Sequence, residues 1–263
     1  MKITSTLVLL FFFSSQIVAQ PSYQLATPLL KYESVFFTKQ ALVELQFRFS
    51  GSQIRYTLDG SEPTESDRLY RRPVSIKKGF TTLKGRVFAT GFKGSETVQA
   101  TFIQDGLKIQ QASFPNANER FGGTGETTLI DNKGGKPAIA SSTWLGYQDD
   151  SVDIVLTLEK SQQIKQVLID FLEDHASWVF LPEKIEVFYS DPVTGERRLF
   201  GNLSNPADNV VPGARCEYRI IESHQPIIAK TILVRLSVLK SIPATHPGKG
   251  MKSWTFIDEI KVY

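Results

Sequence analysis

Three adjacent carboxylate pairs, Asp149-Asp150, Glu173-Asp174 and Asp258-Glu259, are where acid–base chemistry would have to be built. Cleaving a glycosidic bond takes two carboxyls facing each other across it. Neighbours along a strand point to opposite faces, so Asp258-Glu259, inside the alternating run "FIDEIKVY", is not expected to converge on one bond. The other two pairs read as solvated loop charges. The histidines His175, His224 and His246 have no Ser-His-Asp spacing around them, which leaves nucleophilic catalysis without support. Cys216 is the single cysteine, so no internal disulfide and no cysteine-based zinc site can form. Its strand-like neighbours "CEYRII" make it a small buried apolar residue rather than a reactive thiol. An enzyme is not expected.

Carbohydrate binding asks for less: an aromatic face for the C–H surface of a sugar and a few polar groups for its hydroxyls. All 3 tryptophans lie in or beside apparent loops. Trp144 and Tyr147, in "STWLGYQDD", are flanked by small polar residues and are expected to offer open rings. Trp178 follows His175 in "EDHASWVFLP", and the apolar run after it argues for packing. Trp254 follows His246 in the glycine-rich "HPGKGMKSW" and precedes a terminal strand. The expected carbohydrate-binding set is Trp144 and Tyr147, with His246 as polar helper and Trp254 and His175 beside them; Trp178 is assigned to the core.

The elements that position these residues are strands. "VELQFRF" places Val43, Leu45, Phe47 and Phe49 on one face, and "VDIVLTLE" alternates Val152, Ile154, Leu156 and Leu158 against polar partners. "KIEVFYS" and "TILVRLSV" repeat the period, which is that of half-buried antiparallel strands. Turn clusters such as "DGSEPT", where Asp59-Gly60 tolerates positive φ, and "DNKGGKP" separate them. No sustained helical stripe occurs. The expectation is an all-β chain of two sandwiches with a boundary near Gln104 to Gly106.

Ahead of these strands, Lys2, the apolar run Leu7 to Phe13 and the Ile17/Ala19 pair form a secretory signal peptide cut after Ala19. The run is too short to span a bilayer. Domains are therefore expected at 1–19 (signal peptide), 20–104 and 105–263, with a secreted or periplasmic product. A formal charge of +3, interspersed rather than striped, gives no footing for nucleic acid.

The stretch "IRYTLDGSEPTESDRLYRRPVSIKKGFTTLKGRVFATGFKGSETVQATF" resembles the small Ig-like C-terminal domain of chitobiases and β-hexosaminidases. It shares the YTLDGSEPT turn, the Ser66, Tyr70, Pro73 spacing and the Lys-x-Arg-x-Phe strand leading to Gly91 and Ser95. Residues from about 110 onward, through "TLIDNKGG", "WLGYQDD" and "HPGKGMKSWTFIDEIKVY", resemble a coagulation factor 5/8 type C (discoidin-like, galactose-binding-like) domain. The nearest version is the one that ends bacterial, Bacteroidetes-type β-N-acetylhexosaminidases.

The resemblance implies an Ig-like sandwich followed by a jelly-roll sandwich, with loops at one end of the latter as the ligand rim. It also implies a structural Ca²⁺ held by Asp131, Glu259 and loop carbonyls. One departure is the first loop's usual Asp-Gly, which is Asp131-Asn132 here. A catalytic (β/α)₈ barrel takes about 250 residues, and the expectation is an accessory tail without one. The function expected is non-catalytic recognition of N-acetylhexosamine- or galactose-containing glycans; the alternative is a structural module docking to a glycoside hydrolase or a cell-surface partner.

Overall fold

A computed structural model describes residues 23–206 and 212–263; the expected signal peptide lies outside the described residues. Among the described residues the only helical elements are short 3-10 turns, so the chain is all-β. No helix among them is long and apolar enough to cross a membrane.

The first sandwich is built from β1 (Leu29–Lys31), β2 (Phe36–Phe37), β3 (Ala41–Gln46), β4 (Gln53–Thr57), β5 (Arg68–Leu69), β6 (Val74–Ile76), β7 (Thr81–Phe88) and β8 (Val98–Gln104). Its sheets run β1-β3-β6 and β2-β8-β7-β4-β5. β3 buries Ala41, Val43 and Leu45 and exposes the residues between, as a period of two demands. The expected inward run through Phe49 is corrected here: β3 ends at Gln46, and Phe49 is exposed. The Phe49 carbonyl accepts the Ser52 N–H and hydroxyl in a turn, which breaks the alternation and leaves the ring edge-on to Phe92. Gly60 takes φ 80°, and Asp59 Oδ1 accepts both the amide and the hydroxyl of Ser61, which fixes the Asp-Gly turn. Gly85 marks close contact between the sheets, since a Cβ there would lie 2.8 Å from Leu45 Cδ2.

The second sandwich comprises β9 (Ile109–Ser113), β10 (Leu145–Tyr147), β11 (Ser151–Glu173), β12 (Lys184–Ser190), β13 (Arg197–Ser204), β14 (Arg215–Ser237) and β15 (Thr255–Val262). β11 and β14 are each 23 residues long. They pair along their whole length, with register shifts between Thr157 and Gln162 and between Ile164 and Gln166. Bulges sharpen bend and twist, so one continuous sheet folds over itself there. The first half of β11 pairs β9 and the far half of β14, which carries β12 and then β13. The second half of β11 pairs β15, which carries β10. Val152, Ile154, Leu156, Ile169, Phe171, Ile232, Val234 and Ile260 fill the space between the layers.

The outer face of the β15 layer is covered too. Leu168, Tyr218, Ile220 and Tyr263 join the core of the first sandwich alongside Val35, Phe36, Phe37 and Ile103. Tyr263 Oη donates to the Gln104 carbonyl at 2.7 Å, and Phe36 meets Tyr218 edge-on. This double coverage is why every residue of β15 is buried, and it departs from the half-buried pattern that alternation suggested.

Candidate functional site

At one end of the second sandwich, β11 runs into a 3-10 turn (His175–Ser177) that closes on Trp178. Trp178 has φ 64°, a left-handed conformation that a bulky residue rarely takes. Three hydrogen bonds fix it: its N–H donates to the His175 carbonyl, its carbonyl accepts from Trp254 N–H, and Val179 N–H returns to Asp174. The αL kink turns the side chain away from the buried Val179 and Phe180, and Trp178 is 37% exposed. Its other edge rests on Gly248, where a Cβ would stand 3.0 Å from Cε2 and 3.1 Å from Nε1.

The loop carrying Gly248 is held by its own turns. His246 Nδ1 accepts the Gly248 N–H at 3.0 Å, so the ring proton sits on Nε2, which donates to the His175 carbonyl at 3.0 Å. Below, His175 stacks on Phe180 at 4.2 Å, and Phe180 meets His246 edge-on. His175 Nε2 lies 3.0 Å from Glu173 Oε1, and Glu173 Oε2 accepts from Nε and Nη2 of the half-exposed Arg215. A rigid stack of hydrogen-bonded and ring contacts thus presents one open indole, with Met251 and Lys249 exposed on the adjoining loop.

The expected rim is corrected accordingly. Trp144 and Tyr147 are each 1% exposed. Trp144 packs with Leu172, Val179 and Phe256 and donates Nε1–H to the Lys136 carbonyl. Tyr147 lies in the inter-layer core with its hydroxyl on the Pro115 carbonyl, and burial raises its phenol pKa. His246 and His175 are buried and act beneath the loops rather than on them. Trp254 is half-buried against Phe121 and Phe256. Trp178, assigned to the core from sequence, is the exposed one. The left-handed turn after "DHAS" has no residue-type signal, whereas "WLGY" leading into a strand with no polar residue was itself a sign of burial.

The carboxylates gather elsewhere. β15 bulges at Asp258, so Asp170 of β11 stands opposite Glu259 while Asp258 also faces it, contrary to strict alternation. Asp170 and Asp258 are 0% exposed. Burial and then the neighbouring Asp258 carboxylate push Asp170 well above the usual carboxylate range. Asp170 Oδ1 and Oδ2 and Asp258 Oδ1 are buried without a hydrogen-bond partner, an environment that favours the protonated form of Asp170. Asp258 Oδ2 accepts the Gly135 N–H at 3.0 Å and the Thr143 hydroxyl at 3.2 Å. The "DNKGG" loop seals the pair: a Cβ on Gly134 would fall 2.0 Å from Asp258 Oδ2, and one on Gly135 2.0 Å from Val35 Cγ2. A substrate has no route to these acids.

The calcium ligands expected at Asp131 and Glu259 are already engaged. Asp131 accepts from Lys133 N–H and Thr124 Oγ1, and Glu259 accepts from Asn132 N–H and Lys261 Nζ. No three His, Cys, Asp or Glu side chains converge among the described residues. Ca²⁺ requires a shell of six or more unshared oxygens, and an ammonium stands among these. The set does not fit the ion. A cleft of about 660 Å³ between the sandwiches is lined by Phe37, Asn132, Lys133, Lys136, Ser142 and Thr143, and no exposed aromatic ring faces it.

Residues 33–100 match the chitobiase/beta-hexosaminidase C-terminal domain family. No curated protein matches the chain. Among solved structures, the chain is similar to a family 32 carbohydrate-binding module from Streptococcus pneumoniae EndoD at 18% identity, over 60% of this chain and 96% of that one, with a TM-score of 0.38. A chitosan-binding module from a Paenibacillus sp. IK-5 chitosanase/glucanase overlaps at 13% identity, 60% and 98% coverage, and a TM-score of 0.39. A Ruminococcus gnavus GH29 fucosidase overlaps at 14% identity over 58% of this chain, with a TM-score of 0.35. The chain spans 24% of that fucosidase's length.

Proposed function

We propose that this chain is an exported, non-catalytic glycan-binding protein that reads its ligand with the Trp178 face of the second sandwich. The observation that carries the reading is an open indole held in a left-handed turn by Gly248 and the His175–His246 contact. Such a ring offers a flat apolar surface for a sugar's axial C–H groups, and the rim from Arg215 to Lys249 supplies donors for hydroxyls. The match of residues 33–100 to a domain of chitobiases and hexosaminidases favours N-acetylhexosamine-containing glycans, with galactose-containing ones next. Export rests on the Lys2, Leu7 to Phe13 and Ala19 pattern.

One stacked sugar with a few hydrogen bonds binds in the range of roughly 0.1–10 mM. A glycan array followed by titration calorimetry on wild type and Trp178→Ala tests the reading. Binding to a hexosamine or galactose ligand that disappears in a Trp178→Ala variant that remains folded supports it. Binding that survives the substitution moves the site elsewhere.

A second reading, docking to a glycoside hydrolase, is favoured by a different surface. Phe49 and Phe92 are exposed and packed edge-on, ring centroids 5.1 Å apart, on turns of the first sandwich. Exposed aromatic pairs mark interaction surfaces. Serine at both positions would abolish docking and leave sugar binding unchanged.

A further inference from the structure

The Lys261 ammonium stands between three oxygens drawn from three parts of the chain. It donates to Asn132 Oδ1 at 2.6 Å in the first loop of the second sandwich and to Glu259 Oε1 at 3.0 Å on β15, and forms an ion pair with Asp105 Oδ1 at 2.8 Å in the segment joining the sandwiches. An ammonium has three donors and no acceptor, and two hydrogen bonds and one close ion pair surround it. The side chain is 4% exposed. The Phe36 ring lies 5.6 Å from the nitrogen on the side of the first sandwich.

Asn132 organises the rest. Its φ of 62° is left-handed, as a glycine's would be, and this turns its groups inward. Its N–H donates to Glu259 Oε2 at 2.9 Å and its Nδ2 to Asp105 Oδ2 at 3.0 Å. Two carboxylates and an amide oxygen therefore converge on one point, the hard-oxygen environment that suits Ca²⁺, and that point is filled by a covalently attached cation.

We propose that Lys261 is a built-in cation that clasps the first loop to the last strand and to the inter-sandwich segment, making this protein independent of calcium. A bound metal stabilises by mass action and is lost to chelators; a lysine is present at unit stoichiometry under all conditions. The lysine also couples the clasp to the first sandwich through Asp105 and Phe36.

The experiment is a set of thermal melts of the full chain with chelator, with millimolar Ca²⁺ and with neither, supported by calorimetric Ca²⁺ titration. Wild type should melt identically in all three and bind no Ca²⁺. Lys261→Ser removes the cation and leaves Glu259, Asp105 and Asn132 facing one another. Its melting temperature should fall by several degrees, and Ca²⁺ should restore part of the loss. If Lys261→Ser is unfolded without metal, refolding on Ca²⁺ addition supports the proposal. Lys261→Arg should stay insensitive to metal. A wild type that loses stability on chelation overturns the proposal, as does a Lys261→Ser variant that neither binds nor responds to Ca²⁺.

Discussion

Gly248 lies against the indole of Trp178 so closely that a methyl group there would come within 3.0 Å of Cε2 and 3.3 Å of His246 Nδ1. Its backbone is not in the left-handed region, so alanine is conformationally allowed and only the contact changes. Gly248→Ala should displace the ring by a few tenths of an ångström and weaken glycan binding several-fold, with little change in melting temperature. Calorimetry paired with thermal melts checks this; unchanged affinity would separate Gly248 from the binding face.

Trp144 and Trp178 should behave as opposites. Trp144→Ala empties a site among Leu172, Val179 and Phe256 and leaves the Lys136 carbonyl without its partner. The expected cost is about 3–5 kcal/mol, read by chemical denaturation. Trp178→Ala removes a ring that is 37% exposed and otherwise packed, so it should cost about 2–3 kcal/mol, less than Trp144→Ala, while sugar binding is lost.

The Asp170–Asp258 pair makes stability depend on pH. Burial raises Asp258 from the ordinary 3.8 to about 7, and burial with the neighbouring Asp258 raises Asp170 well above 3.8 as well. Groups raised on folding bind extra protons in the native state, so their contribution is complete below the unfolded pKa and is lost as pH rises through the folded one. The melting temperature should fall between about pH 5 and about pH 8. Asp170→Asn puts a neutral amide in place of the buried carboxyl, so it should flatten that fall and melt above wild type at the alkaline end. A wild-type profile without slope over this range contradicts a buried proton.

Gly135→Ala should be a severely damaging single-methyl change in the first loop. It combines φ 67° with an overlap of 2.0 Å against Val35 Cγ2. Strain and overpacking together are expected to cost about 3 kcal/mol or more. Gly125→Ala, also at positive φ but with open space around its Cβ position, is the control and should lose far less. Denaturant midpoints of the two variants give the comparison.

Strands were legible wherever one face meets solvent. Val152, Ile154, Leu156 and Leu158 alternate in sequence and all point into the core. Legibility ended where the local pattern no longer reports the surroundings. "FIDEIKVY" reads as half-exposed, yet Asp258, Glu259 and Lys261 are buried because the first sandwich and the "DNKGG" loop cover the outer face. Phe49 alternates correctly but falls beyond the end of its strand. The two tryptophans exchanged roles for the same kind of reason. Small polar neighbours of Trp144 announced an exposed loop, but burial is decided by Phe256 and Leu172 from other strands. Trp178 was hidden behind an apolar run whose direction a single left-handed residue reverses.

Leu168, Tyr218 and Ile220 of the second sandwich sit in one core with Val35 and Phe36 of the first. A gene divided at Gln104 would yield two fragments, each carrying a raw oily face that the other was shaped to hide. Inter-domain surfaces of polar character permit hinging and separate expression; this one does neither. The fragments would tend to self-associate or to find each other when mixed, and complementation of separately refolded halves would reconstitute a particle with one fixed angle between its ends. The Trp178 face and the Phe49–Phe92 pair are therefore held at one fixed separation by the shared core.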